Sequence, residues 1–182
     1  MREIRILSEL KSDFIVQYYD SWIEASVELN EITKYLFIKI ELCEQNLIKI
    51  IELINFEEKF KCFQYFISFE IFRELTKALN YLHSIEPKPI MHRDIKPENV
   101  LISDGRNGVF LKLCDFGYAK PLEVVKHTRM VGTDSYMAPE VKDGEEYDLK
   151  SDIFSLALIG TQIFKFDDNV SKISRLLDRN KM

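Results

Sequence analysis

One stretch limits the choice of fold more than any other. Within residues 64–84, Ile71, Phe72, Leu75, Ala78, Leu79 and Leu82 recur at three- and four-residue spacing. That is the period of a helix with one broad buried face. Pro87 and Pro89 follow and force the chain to become extended. Such a helix needs other elements to cover its stripe, and the flanking sequence supplies them. Residues 14–23 are rich in aromatic and β-branched side chains and predict a strand. In residues 35–42, Leu36, Ile38, Ile40 and Leu42 alternate with Phe37, Lys39 and Glu41. This period of two predicts a second strand, antiparallel to the first across a polar connection over residues 24–34. Ile4, Leu7 and Leu10 predict an opening helix, and Leu47, Ile50, Ile51 and Ile54 a short one. From the prolines to about residue 140 the pattern breaks into short strands and loops, with turn signals at Asp104-Gly105 and Asn107-Gly108. Ser151 is the expected N-cap of a last helix over 152–164, and the tail beyond Asp167 reads as polar and weakly helical. The predicted class is α+β.

Composition removes several function classes. The net charge of −5 leaves no basic footprint for nucleic acid or an anionic membrane. No apolar run has the length of a membrane span, and the first residues have no signal-peptide core. Cys43, Cys62 and Cys114 are an odd number without CxxC spacing, which predicts reduced thiols and a cytoplasmic location.

The chemistry is concentrated in MHRDIKPENVLI, KLCDFGYAK and GTDSYMAPE, in that order. Asp94 and Asn99 stand five apart in one predicted loop with Lys96 between them, and Asp115 follows a predicted strand. Carboxylate and amide oxygens suit a hard cation such as Mg²⁺, held by one or two carboxylates together with substrate phosphates. A further Asp can accept a hydroxyl proton, and a Lys can offset charge on a transferring phosphoryl group. These parts point to phosphoryl transfer.

The ordered set resembles the signature of eukaryotic protein kinases of the Ser/Thr type: H-R-D-x-x-x-x-N, then D-F-G, then A-P-E. The resemblance implies a two-lobe fold with a partial N-lobe over residues 1–42, made of a regulatory helix and antiparallel strands. A mainly helical partial C-lobe would occupy residues 43–182. It implies ATP and Mg²⁺ as cofactors and a protein substrate as partner. Asp94 would be the catalytic base, Lys96 would contact the phosphate, and Asn99 and Asp115 would hold Mg²⁺. Glu3 would be the regulatory-helix glutamate. Leu7, Tyr18, His92 and Phe116 would stack as a hydrophobic spine. Ile40 would be the gatekeeper, Glu41, Leu42 and Cys43 the hinge beside adenine, and Leu101 the floor under the ring. Asp152 would anchor the catalytic-loop backbone. Lys96 and the pair Gly132-Thr133 carry the Ser/Thr signature. Arg93 before Asp94 implies control by a phosphate on the following loop, with Thr128 as its expected site. Cys114 reads as a buried filler, and His83 and His127 as structural or exposed.

The runs IVQYYDSWIE, LFIKIELCEQNL and EIFRELTKALNYLHS are similar to the kinases of translation initiation factor 2 alpha. Regulation of translation is then the expected role, with homodimerisation of the full-length parent a further expectation. Another Ser/Thr branch and a catalytically dead binding module are the alternatives. Neither Gly-x-Gly-x-x-Gly nor Val-Ala-Ile-Lys occurs in the sequence. The resemblance places both upstream of Met1, and the initiation-factor docking helix and the Arg partner of Glu140 downstream of Met182. The 182-residue chain alone is therefore expected to transfer little or no phosphate.

Overall fold

The computed structural model describes residues 2–28, 31–56, 61–105, 108–122 and 132–164. Helix α1 (Arg2–Glu9) leads into a hairpin of β1 (Tyr18–Glu28) and β2 (Glu31–Ile40). Then come β3 (Gln45–Asn46), α2 (Leu47–Phe56) and α3 (Lys61–His83), followed by β4 (Ile90–Met91), β5 (Val100–Ile102), β6 (Leu111–Leu113) and β7 (Lys120–Pro121). Helices α4 (Pro139–Lys142) and α5 (Lys150–Ile163) close the described part. The α+β class is as expected: α1 and the hairpin on one side, a mainly helical body on the other.

The long helix behaves as its stripe predicts. Ile71, Leu75, Ala78, Leu79 and Leu82 are buried in one cluster with Leu47, Val100, Leu113, Phe116 and Ile159. Two polar residues on α3 are also buried and satisfied. Ser68 Oγ donates to the Ile163 carbonyl at 2.7 Å. Glu74 Oε2 accepts the backbone N–H groups of Phe110 and Leu111, each at 2.9 Å. Helix α5 approaches α3 so closely that a Cβ on Gly160 would lie 2.9 Å from the Phe72 ring.

Three expectations need correction. The first strand starts at Tyr18, while Phe14 and Val16 bond to Leu113 of β6 in a parallel bridge centred on Ile15. The polar stretch 24–34 is mostly ladder, with Ala25 opposite Lys34 and Ser26 opposite Thr33. A hairpin can run on past its packed part with both faces wet, so its polar end carries no period-two signal. Finally, Ser151 lies inside α5, and its hydroxyl donates to the Asp148 carbonyl. The N-cap position is Leu149, which has no side-chain cap, and Asp148 Oδ1 just before it accepts the Lys150 N–H at 2.7 Å. The tail beyond Asp167 lies outside the described residues.

Candidate active site

The segment between β4 and β5 is positioned by one buried carboxylate from α5. Asp152 Oδ2 accepts the His92 N–H at 2.9 Å, and Oδ1 accepts the Arg93 N–H at 2.8 Å. Arg93 has φ of 67°, a left-handed conformation unusual outside glycine, so the loop needs this clamp to stay in place. His83 Nε2 reaches the same Asp152 Oδ2 at 2.9 Å, which gives this histidine a structural role with a definite partner. His92 is fully buried, and burial holds its pKa below the ordinary value despite nearby carboxylates. The neutral ring donates from Nε2 to the Cys114 carbonyl at 3.0 Å and accepts the Asp94 N–H at Nδ1.

Asp94 then collects four donors. Oδ1 accepts the Thr133 N–H at 2.9 Å and the Thr133 hydroxyl at 2.8 Å. Oδ2 accepts Lys96 Nζ at 2.8 Å and Asn99 Nδ2 at 2.9 Å. Burial opposes ionisation of this carboxyl. The bonds from Lys96, Thr133 and Asn99, with the Lys96 charge, outweigh it and hold the pKa below the usual carboxylate value. Lys96 is affected in the opposite sense: burial works against its charge, but Asp94 raises its pKa above the ordinary value. Lys96 also donates to Thr133 Oγ1 at 2.7 Å, which closes the ring of bonds. Thr133, expected as part of the Ser/Thr signature, therefore touches the Asp94 carboxylate directly. Gly132 makes this approach feasible: its φ is 121°, and a Cβ there would lie 2.5 Å from the Arg93 carbonyl.

The expected metal residues sit on one edge. Strands β5 and β6 pair Val100 with Leu113, and the Cys114 N–H donates to the Asn99 carbonyl at 3.0 Å. Asn99 Nδ2 faces Asp94, which leaves Oδ1 as the side-chain oxygen for a ligand. Asp115 is exposed, has φ of 60°, and accepts the Gly117 N–H at Oδ1. Among the described residues no group of three or more His, Cys, Asp or Glu could hold a metal unaided. An amide oxygen and one carboxylate fit Mg²⁺ that arrives with phosphates. Glu3 lies at the same edge, its Oε2 3.8 Å from where a Gly117 Cβ would stand. Burial, then the charge of Asp115, raise its pKa.

The remaining expected residues divide into three groups. Leu7, Tyr18 and Phe116 belong to one cluster, and the Phe116 ring lies 4.9 Å from that of His92. Ile40 ends β2, and Glu41, Leu42 and Cys43 follow as the linker to β3; Leu101 is partly buried opposite Asn46. The Arg93 guanidinium is already engaged, with Nε on the Tyr118 carbonyl at 2.7 Å and Nη1 on the Tyr147 hydroxyl at 3.0 Å. Thr128 and His127 lie outside the described residues. Burial, then Asp115, push the Cys114 thiol up to about 12, so it is an un-ionised filler as expected. Sequence reasoning missed Lys112, whose Nζ lies 2.9 Å from Glu41 Oε2. A lysine between two strand leucines carries no sign of its partner.

The comparisons agree with this geometry. The family model described as protein kinase domain matches residues 1–176. The chain is 33% identical over 168 residues to a dual specificity mitogen-activated protein kinase kinase of Caenorhabditis elegans. It is 34% identical over 165 residues to the serine/threonine-protein kinase TIO of Arabidopsis thaliana, and 31% over 185 residues to the serine/threonine-protein kinase Nek6 of rice, Oryza sativa subsp. japonica. These alignments cover 90%, 90% and 96% of this chain, and 35%, 11% and 31% of the relatives' own lengths. With that match over nearly all its length, and a histidine-backed Asp94 held beside Lys96, Asn99 and Thr133, the chain belongs to the protein kinase domain family.

Proposed function

We propose that the chain carries the catalytic loop and metal-binding edge of an ATP-dependent Ser/Thr protein kinase acting in the cytoplasm. The observation that carries the reading is the four-donor cage around Asp94, built from Thr133, Lys96 and Asn99. A carboxylate held in this way stays ionised and aimed, which suits it to orient a substrate hydroxyl and take its proton. Lys96 is the cationic member of the cage. If its ammonium turns to a phosphoryl oxygen, one position on Asp94 Oδ2 opens for the hydroxyl. Asn99 Oδ1 and the Asp115 carboxylate hold Mg²⁺, and Ile40, Glu41, Cys43 and Leu101 border the adenine. Bound Mg²⁺·ATP supplies the transferable phosphoryl group and the cation that neutralises its oxygens. The test is transfer of labelled phosphate from ATP to protein by this sequence joined to a Gly-rich loop and strand lysine ahead of it, and by the same protein with Asp94→Asn. Loss of a general base lowers the rate by about 100-fold or more; an unchanged rate would remove Asp94 from the role.

The finer reading concerns the substrate. We assign it to the alpha subunit of translation initiation factor 2, on the text IVQYYDSWIE and LFIKIELCEQNL. The relatives reported above come from several kinase branches, so that assignment rests on the sequence runs alone, including EIFRELTKALNYLHS and the H-T-x-x-x-G-T spacing of residues 127–133. Offering the alpha subunit beside a generic basic protein decides it, since equal phosphorylation of both would count against the branch.

A further inference from the structure

Residues 41–44, which connect β2 to β3, are held from the side by Lys112, three residues before Asp115. The Glu41 N–H donates to the Gln17 carbonyl at 2.8 Å, and Glu41 Oε2 accepts the Gln17 N–H at 3.2 Å. Lys112 Nζ reaches that same Oε2 at 2.9 Å, and the two side chains are only 13% and 23% exposed. One carboxylate thus joins the entry to β1, the linker and strand β6.

The place of Lys112 gives the pair its meaning. In the β5–β6 ladder Lys112 stands directly opposite Leu101. Opposed residues of an antiparallel pair send their side chains to the same face. Leu101 is in turn opposite Asn46 of β3, at the far end of the linker. The linker is therefore attached at both ends to the strand pair that carries Leu101: by the β3 ladder at one end and by the ion pair at the other. A pair mostly withdrawn from water resists screening by salt, and removal of one partner leaves the other's charge poorly solvated.

We propose that Lys112 is a positioning residue for nucleotide binding, which acts through Glu41 to fix residues 41–46 over Leu101. The nucleotide half of this inference rests on the kinase reading, whereas the latch itself does not. The expected occupant is a purine nucleoside triphosphate. Because the latch sets where the linker backbone lies, its loss weakens discrimination between adenine and guanine.

The experiment compares the 182-residue chain with Lys112→Met, Lys112→Arg and the exchanged pair Glu41→Lys/Lys112→Glu, by two independent readouts. Hydrogen exchange measures the Glu41 amide and residues 42–46 against the α3 core. Lys112→Met is expected to speed exchange in the linker about tenfold, a loss between those of exposed and buried pairs, while Leu75 to Leu82 stay unchanged. Lys112→Arg keeps the protection, and the exchanged pair restores part of it. Titration with Mg²⁺·ATP and Mg²⁺·GTP is expected to show ATP binding weakened about fivefold in Lys112→Met and the ATP-to-GTP preference reduced. A merely structural role would lower overall stability and leave that preference alone. Wild-type linker exchange in Lys112→Met would overturn the latch whatever the nucleotide result. Faster exchange with unaltered ATP affinity and preference would overturn the positioning role. If the wild-type chain binds neither nucleotide, the positioning role is overturned for this chain, while the exchange data still decide the latch.

Discussion

The loop between β4 and β5 and the β1–β2 hairpin are opposite solutions to holding a backbone in place. In the loop, His92, Asp94, Asn99 and Asp152 are all buried polar groups, and each is matched to named partners. Among the described residues no buried side-chain nitrogen or oxygen lacks a hydrogen bond. The hairpin is held by its ladder and by a stacked pair, Trp22 on Phe37 with centroids 5.4 Å apart. Trp22 is 43% exposed, and Ile23, Tyr35 and Leu36 are exposed beside it. Buried polar networks specify one geometry because each unmade bond is costly. A two-stranded ribbon with both faces wet has little to lose locally and is marginal by itself. The difference teaches where precision resides: the loop carries the aimed groups, and the hairpin depends on its attachments.

The strongest way to break this comparison is to remove the clamp. Asp152→Ala leaves the buried His92 N–H and the part-buried Arg93 N–H without their acceptors, at about 1–3 kcal/mol each. A loss of about 3 kcal/mol or more in urea unfolding is expected, with protection of the Arg93 amide abolished. If that variant does not fold, Asp152→Asn keeps one acceptor and should retain part of the protection. A loss below about 1 kcal/mol, the worth of an ordinary single bond, would mean that the loop is organised elsewhere.

Trp22→Ala attacks the other side. A half-exposed aromatic stack is worth about 1 kcal/mol, so amides of β1 and β2 should exchange about fivefold faster. The amides of His92 and Arg93 should keep their rates. If they accelerate equally, the two regions open as one unit and the contrast is false.

How much of this was legible in the sequence follows from the kind of signal each part leaves. The α3 stripe was readable because burial on one face imposes a period. Asp94, Lys96, Asn99 and Asp115 stood out because their chemistry fixes both type and spacing, and the structure joins the first three by hydrogen bonds and an ion pair. The full length of the hairpin was not readable, since Glu24, Ala25, Thr33 and Lys34 are all exposed and no period of two marks the stretch. Nor was the start of α5 with Asp148 bonded to the Lys150 N–H, because Ser151 offers an equally good capping side chain and only the backbone geometry separates them. The cage role of Thr133 and the latch of Lys112 depend on partners 39 and 71 residues away, and such pairings are set by tertiary contact rather than local pattern.

The smallest expected effect falls where the two regions meet. Glu3 is on α1, beside the hairpin, and its carboxyl faces Asp115 at the edge of the loop region. Burial, then Asp115, raise its pKa above 4.5, so folding favours the protonated form. For a raised pKa the favourable contribution is complete below the unfolded value, and it is lost as pH rises through the folded one. Gln imitates the protonated carboxyl at every pH. Glu3→Gln should therefore stabilise the chain at pH 7, by no more than about 0.5 kcal/mol because the group is largely solvated. The gain should vanish at pH 4 and below. Thermal unfolding of the chain and the variant at pH 4 and pH 7 measures both points. A loss of stability at pH 7 would show that the Glu3 carboxylate is held by a favourable partner, and the junction would then belong with the saturated loop rather than with the loosely held hairpin.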